Sequence, residues 1–242
     1  MSRRQRQRTR PQSATRVPER PLEKPGLFET RRRLVLWRHG RTEWNRVARA
    51  QGHADISLDE VGVAQARRAA EFLASYEPNF VWSSDLARAR ETAAELIAIT
   101  GQDLVLDKRL REVDVGARQG LTFEEFREAM PELFRRFMAG EPEAVPGAES
   151  KAEVADRMLR VLRDAAAALD DGQTGILVGH GAALRMGTLS FFDLPASHSE
   201  LLAGMSNCAW AVLDDRAGRG WQIVDYNAQT LPPPLELADD VM

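Results

Sequence analysis

The 242-residue chain is poor in cysteine, histidine and tyrosine, with one, four and two respectively. The lone Cys208 rules out an intramolecular disulfide, and no Cys/His cluster has zinc-ligand spacing. A reducing, cytoplasmic setting without a structural metal is therefore expected. No apolar run approaches the roughly 20 residues that a membrane helix needs, so no span is expected. What remains, 43% hydrophobic and 29% charged residues, is enough for a globular protein with a full core.

The net charge of -3 hides an asymmetry. Residues 1–33 hold eleven Arg or Lys against three Glu, a balance of +8 that leaves -11 for the rest. The segment MSRRQRQRTRPQSATRVPER has almost no large apolar residues, so 1–33 is read as a basic disordered tail, 34–230 as the folded domain and 231–242 as a second tail. The tail lacks the apolar core of a secretory signal and the apolar face of a transit peptide. A solvated extension is the simpler reading. Contact with nucleic acid or a membrane surface is the less favoured one.

From residue 34 onward, short apolar runs alternate with longer helical patterns. LVLW (34–37), NFVWSS (79–84), DLVLD (103–107) and GILVGH (175–180) read as strands. SLDEVGVAQARRAAEFLASY reads as a helix capped by Ser57 or Asp59, and LARARETAAELIAIT as another that stops at Gly101. Residues 122–139 and 150–170 are helix-periodic, separated by GEPEAVPGAES, and CAWAVLDD with GWQIVDY forms a closing hairpin. The alternation predicts an α/β fold: a three-layer sandwich with a mostly parallel central sheet between helices.

Such sheets bind ligands at the carboxyl ends of their strands. Here the first strand ends in Arg38 and His39, and the second leads through Ser83 and Ser84 to Arg88. The third is followed by Arg111 and Glu112, and the fourth ends in His180 between two glycines. Two guanidiniums suit phosphate oxygens. An imidazole can accept a phosphoryl group covalently, and a second one can donate to its equatorial oxygens. A carboxyl such as Glu112 can protonate the departing alkoxide and then activate water; it must enter the first step protonated. Taken singly, each residue has a plainer explanation: a satisfied structural histidine, a solvated arginine, glycines that permit tight turns. Two His-Gly pairs after two apolar strands, in order with Arg88 and Glu112, are much harder to explain that way.

LWRHGRTEWN resembles the Arg-His-Gly motif of the histidine phosphatase superfamily, which includes cofactor-dependent phosphoglycerate mutases. SSDLARARETA, LREVDVGARQG and ILVGHGAALR resemble its second-arginine, acid-bearing and second-histidine segments, and the similarity runs from residue 34 to about 228. The resemblance implies a phosphohistidine at His39, a phosphate pocket of Arg38, Arg88 and His180, and a proton donor at Glu112. It also implies Asn45 near the pocket and Gln51 with Gly52 in a substrate-proximal loop. His53 and His198 match no catalytic position, His53 lying near the substrate loop by sequence. Arg90 is read as structural. Two departures stand out: GARQG, where many relatives carry an aromatic at the position of Arg118, and PGAES, where a second glycine is usual at Ala148.

Mutases of this family follow the acid with an Arg-His-Tyr-Gly stretch, whereas Glu112 is followed by VDVGARQG. A phosphomonoester hydrolase is therefore the expected activity, on a sugar phosphate or phosphoglycerate-type metabolite. QGHADISLDEVG, SSDLARARETA and LLAGMSNCAW are similar to phosphatases of glucosyl-3-phosphoglycerate. A phosphoglycerate mutase and a non-catalytic phosphate-binding protein are the alternatives. No metal or other cofactor is implied, because the guanidiniums supply the positive charge. Phe123, Phe126, Phe134 and Phe137 are read as core, and the late hairpin offers an edge strand for a homodimer.

Overall fold

LVLW lies inside a nine-residue strand, β1 (Thr30–Arg38), in the computed structural model, which describes residues 30–141 and 144–230. After β1 come α1 (Glu43–Arg46), α2 (Glu60–Leu73), β2 (Phe80–Ser83), α3 (Ala87–Thr100) and β3 (Leu104–Leu106). The chain continues through α4 (Phe123–Ala129), α5 (Pro131–Met138), α6 (Lys151–Ala167), β4 (Gln173–Gly179), α7 (Gly181–Phe191), β5 (Trp210–Arg216) and β6 (Gly220–Ala228). The strands form one sheet in the order β3-β2-β4-β1-β5-β6. β3, β2, β4 and β1 are parallel, and the β5–β6 hairpin joins antiparallel to β1.

Alternation along β1 builds both layers. Leu34 and Leu36 face a core shared with Met158 and Leu162 of α6 and Leu184 of α7. Val35 and Trp37 face the opposite core with Ala66 and Ala70 of α2 and Ala93 and Leu96 of α3. All four β1 side chains are fully buried, and each contributes roughly 1.5–3 kcal/mol relative to exposure. The result is the three-layer sandwich expected from the sequence.

Two boundaries differ from the sequence reading. β1 begins at Thr30, so residues 30–33, counted with the basic tail, lie in the sheet. Arg32 and Arg33 stand directly opposite Asp215 and Asp214 in the β1–β5 register and pair with them at 2.6 and 2.7 Å. Cross-strand charge pairing thus extends a strand whose apolar pattern starts only at Leu34. Residues 122–139, periodic as one helix, form two. Pro131 has no N–H to donate, and it forces Met130 out of the helical region, at φ -139 and ψ 60. The segment 1–29, read as disordered, residues 142–143 and the tail 231–242 lie outside the described residues. Among the described residues no helix is long and apolar enough to cross a membrane.

The turn after β1 is set by a close approach of two backbones. A Cβ on Gly40 would sit 2.5 Å from the Gly62 carbonyl oxygen, and one on Gly62 would collide with the Arg41 carbonyl. Asp59 caps α2 by accepting from the Gly62 N–H at 2.7 Å, and it pairs with Arg41 at 2.9 Å. Helix propensity alone would make Gly62→Ala stabilising by about 1 kcal/mol. We expect the reverse, a loss of roughly 1–3 kcal/mol in urea unfolding, because the methyl must displace backbone. A stabilised Gly62→Ala protein would contradict this packing.

Candidate active site

The carboxyl ends of the four parallel strands open on one side of the sheet, and the residues singled out at those ends meet there. His39 follows β1 with its N–H bonded to the Gly179 carbonyl of β4 at 3.0 Å. His180 follows β4 as the residue preceding α7. Their rings are 5.0 Å apart between centroids, and both are buried.

The protonation of His39 follows from its partner. Its Nδ1 lies 2.7 Å from the Gly40 carbonyl oxygen, which can only accept, so Nδ1 carries the proton and Nε2 the lone pair. Burial, reinforced by the charges of Arg88 and Arg38, holds its pKa well below 6.5. Arg88 Nε donates to His180 Nδ1 at 3.2 Å, which assigns the His180 proton to Nε2, 2.9 Å from the Ser84 hydroxyl. Burial and the same cations push the His180 pKa well below its ordinary value.

Arg88, in the first turn of α3, is fully buried. It donates to the Ala54 and Gly52 carbonyls at 2.7 and 2.9 Å, so it fastens the loop after Gln51. Asp55 of the same loop accepts from the Ala87 N–H at 2.6 Å and thereby caps α3. Burial lowers the Arg88 guanidinium to about 10, although Glu112 and Asp55 pull the other way. Gly52 is at φ +50, and a Cβ there would press on Val115. Arg38 Nη1 donates to the Met205 carbonyl. Its guanidinium passes so close to Gly181 that a Cβ would lie 3.3 Å from Nε; the glycine makes room for the arginine rather than for a turn.

Glu112 reaches the site from the segment after β3. Its carboxylate accepts from the Val113 and Ala183 amides at 2.9 Å and from Ala182 at 3.3 Å, so the start of α7 orients it. Its backbone carbonyl accepts from His53 Nε2 at 2.8 Å and from Arg157 Nη2 at 2.9 Å. Arg157 also binds the carbonyls of Arg109 and Arg111 and the carboxylate of Glu149. Glu149 in turn accepts from the Asp114 amide at 2.8 Å. The neighbouring Arg111 points elsewhere and pairs with Asp85.

Asn45 sits behind His39. Its Oδ1 accepts from the Thr42 amide and from Asn207 Nδ2, and Asn207 also donates to the His39 carbonyl. Gln51 is 9% exposed, and its Oε1 has no hydrogen-bond partner among the described residues. Arg90 and His198 are exposed. Among the described residues no three His, Cys, Asp or Glu side chains gather to hold a metal ion. Sequence reading gave no role to Asn207, Asp55, Glu149 and Arg157. Asp55, Glu149 and Asn207 stand within QGHADISLDEVG, PGAES and LLAGMSNCAW, but Arg157 is one of many arginines on a charged helix and carries no local signal. The four aromatics were read as core. Phe126 is fully buried, but Phe123 is 53% exposed.

Guanidinium charge concentrated around a neutral imidazole suits a phosphoryl group. The chain belongs to the histidine phosphatase superfamily (branch 1), which its residues 34–229 match. A glucosyl-3-phosphoglycerate phosphatase of Mycolicibacterium vanbaalenii is 38% identical over 188 residues, 75% of this chain and 84% of that one. A probable phosphoglycerate mutase GpmB of Cronobacter sakazakii is 34% identical over 182 residues, 75% and 84% of the two chains. A mycobacterial glucosyl-3-phosphoglycerate phosphatase solved with VO3 superposes with a TM-score of 0.73 at 35% identity, covering 82% of this chain and 100% of that one.

Neutral burial of two histidines makes stability depend on pH. In the unfolded chain each imidazole takes up a proton near 6.5, while in the native protein both stay neutral to lower pH. Below that point the unfolded state binds more protons, so stability present at neutral pH is lost as pH falls from about 7 toward 5. The urea midpoint should drop across this interval, and drop less in His180→Gln. A midpoint that does not move would contradict the neutral assignment.

Proposed function

We propose that the chain is a phosphomonoester hydrolase that works through a phosphohistidine at His39. The observation that carries this reading is the state of that ring: neutral, with Nδ1–H held by Gly40 and the Nε2 lone pair left for attack. Arg38 and Arg88 hold the phosphoryl oxygens; His180, with Nδ1 on Arg88 and its Nε2–H on Ser84, orients Arg88 in the pocket, and Asn45 supports the wall beside His39. Nε2 attacks phosphorus in line as the ester P–O bond breaks, and Glu112 passes its proton to the departing alkoxide. The phosphoimidazolium keeps its Nδ1–H on the Gly40 carbonyl, which favours its positive charge. Glu112, now a base, takes a proton from water as that oxygen attacks phosphorus and the P–N bond breaks. Inorganic phosphate leaves, and both residues return to their starting states. The two guanidiniums provide positive charge without a metal ion.

The substrate is read as a small sugar phosphate or phosphoglycerate-type ester, with glucosyl-3-phosphoglycerate first because two of the relatives above bear its name. Absence of the Arg-His-Tyr-Gly stretch after Glu112 favours hydrolysis over mutase transfer. The single buried Cys208 fits a reducing, cytoplasmic location.

Purified protein should release phosphate from glucosyl-3-phosphoglycerate and 3-phosphoglycerate without added metal, and His39→Ala should abolish that release. Release by His39→Ala at the wild-type rate would remove the phosphohistidine. Conversion of 3- to 2-phosphoglycerate in place of release would favour the mutase reading.

The Arg157–Glu149 pair is expected to position Glu112 without touching substrate. Glu149→Gln keeps the shape and removes the charge, so Arg157 loosens from the 109–112 carbonyls. A displacement on the order of 1 Å can cost up to 100-fold. We expect kcat to fall by about 10-fold or more with KM little changed. A loss confined to KM would place the pair in substrate binding.

A further inference from the structure

Nearly every buried or half-buried arginine around the site is engaged. Arg41 pairs with Asp59, Arg49 with Glu125, Arg111 with Asp85 and Arg157 with Glu149. Arg118 differs. It ends the short 3-10 turn Gly116–Arg118, and its backbone is held by a bond from its N–H to the Val115 carbonyl and one from the Leu121 N–H to its own carbonyl. Its guanidinium has no hydrogen-bond or ion-pair partner among the described residues. It rests instead on aromatic faces, with Cζ 4.7 Å from the Phe137 ring centroid and 5.5 Å from that of Phe123.

The aromatic support is itself anchored. Phe137 meets the fully buried Phe126 at 5.9 Å between centroids, and Phe126 meets Phe134 at 5.6 Å. The two short helices created by the Pro131 break therefore form a platform that holds a planar cation in place. A half-buried guanidinium with its aromatic face covered keeps its N–H edge for a ligand. Bonds from the Ala50 N–H to the Leu121 carbonyl at 3.0 Å and from the Gly120 N–H to the Ala50 carbonyl at 2.8 Å tie the Arg118 turn to the loop that Arg88 fastens; burial lowers the Arg118 pKa, and Glu112 opposes that shift.

Beside Arg118 lies a cleft of about 110 Å³ lined by Ala48, Arg49, Ala50, Arg118, Leu121 and Phe123. Gln51, with its unpartnered buried Oε1, follows directly on the Ala48–Ala50 wall. The space is small and is backed by a second guanidinium, that of Arg49, already paired with Glu125.

We propose that Arg118 recognises a carboxylate on the leaving group of the phosphate ester, and so selects phosphorylated hydroxy acids over phosphorylated polyols. This rests on the phosphatase reading for what binds at His39. The phosphoryl oxygens belong to Arg38 and Arg88, and the bridging oxygen to Glu112. A cation on the Glu112 side therefore meets what the phosphate was attached to. A planar guanidinium edge matches a carboxylate in two parallel hydrogen bonds, and a desolvated setting strengthens them. A polyol in the same place gives up the charge-assisted pair.

The matched probes are 3-phosphoglycerate and glycerol 3-phosphate, which share phosphate, chain length and hydroxyl and differ in the terminal carboxylate. Their affinities are measured by calorimetry on His39→Ala protein, where turnover does not interfere, and again with Arg118→Gln and Arg118→Lys added. The expected result is a preference for 3-phosphoglycerate that falls by about tenfold or more in Arg118→Gln and is partly kept in Arg118→Lys. Equal weakening of both ligands would reduce Arg118 to a structural role and overturn the proposal, as would a preference that Arg118→Gln leaves intact or one absent from the start. Phosphate release by the unsubstituted chain is read separately. If neither these esters nor glucosyl-3-phosphoglycerate is hydrolysed while the affinity preference still follows Arg118, the hydrolase reading fails and carboxylate recognition stands.

Discussion

A guanidinium buried without a carboxylate in direct contact is the constraint around which this molecule is arranged. Arg88 is fully enclosed and satisfied only by neutral groups: two backbone carbonyls and an imidazole nitrogen. Such a charge is expensive to desolvate unless every donor has an acceptor. The 52–54 carbonyls must therefore turn inward, which requires the left-handed Gly52, and His180 must present an unprotonated Nδ1. The same uncompensated charge helps hold His39 neutral. Pocket shape, tautomers and the positive charge of the pocket thus follow from one buried cation.

The acid is held by a separate apparatus, which explains how opposite charges coexist without collapsing into an ion pair. Glu112 is oriented by amides at the start of α7, while His53 and Arg157 grip its backbone carbonyl. Arg157 is itself tied to Glu149, so the segment bearing the acid is braced from α6, the helix packed on the far face of β1. The groups of the candidate site are therefore held from both helical layers and meet at the one edge where the parallel strands end.

Strand pattern and strand ends were open to sequence reading because apolar runs of four to six residues and the polar residues that stop them are adjacent in the chain. Asp59, one of two cap candidates for α2, and Gly101 as the stop of α3 were legible for the same reason. Arg157, Asn207 and Asp55 were not. Each acts across a separation of tens of residues, and a charged or amide side chain on a polar face looks like any other. The early start of β1 was hidden because the pairing of Arg32 and Arg33 with Asp215 and Asp214 becomes visible only in register.

By itself the sequence determined the order of strands and helices, the parallel sheet that order implies, and the short list of groups placed where strands end. These are consequences of local periodicity and of a rule about sheet ends. Tertiary structure decided which nitrogen of each histidine carries the proton, which glycines exist for close approach, and which arginines are already spent on carboxylates. It left Arg118 on its aromatic platform with no such partner among the described residues. Those outcomes depend on distances between residues far apart in the chain, and a linear pattern carries no information about where an N–H finds its acceptor.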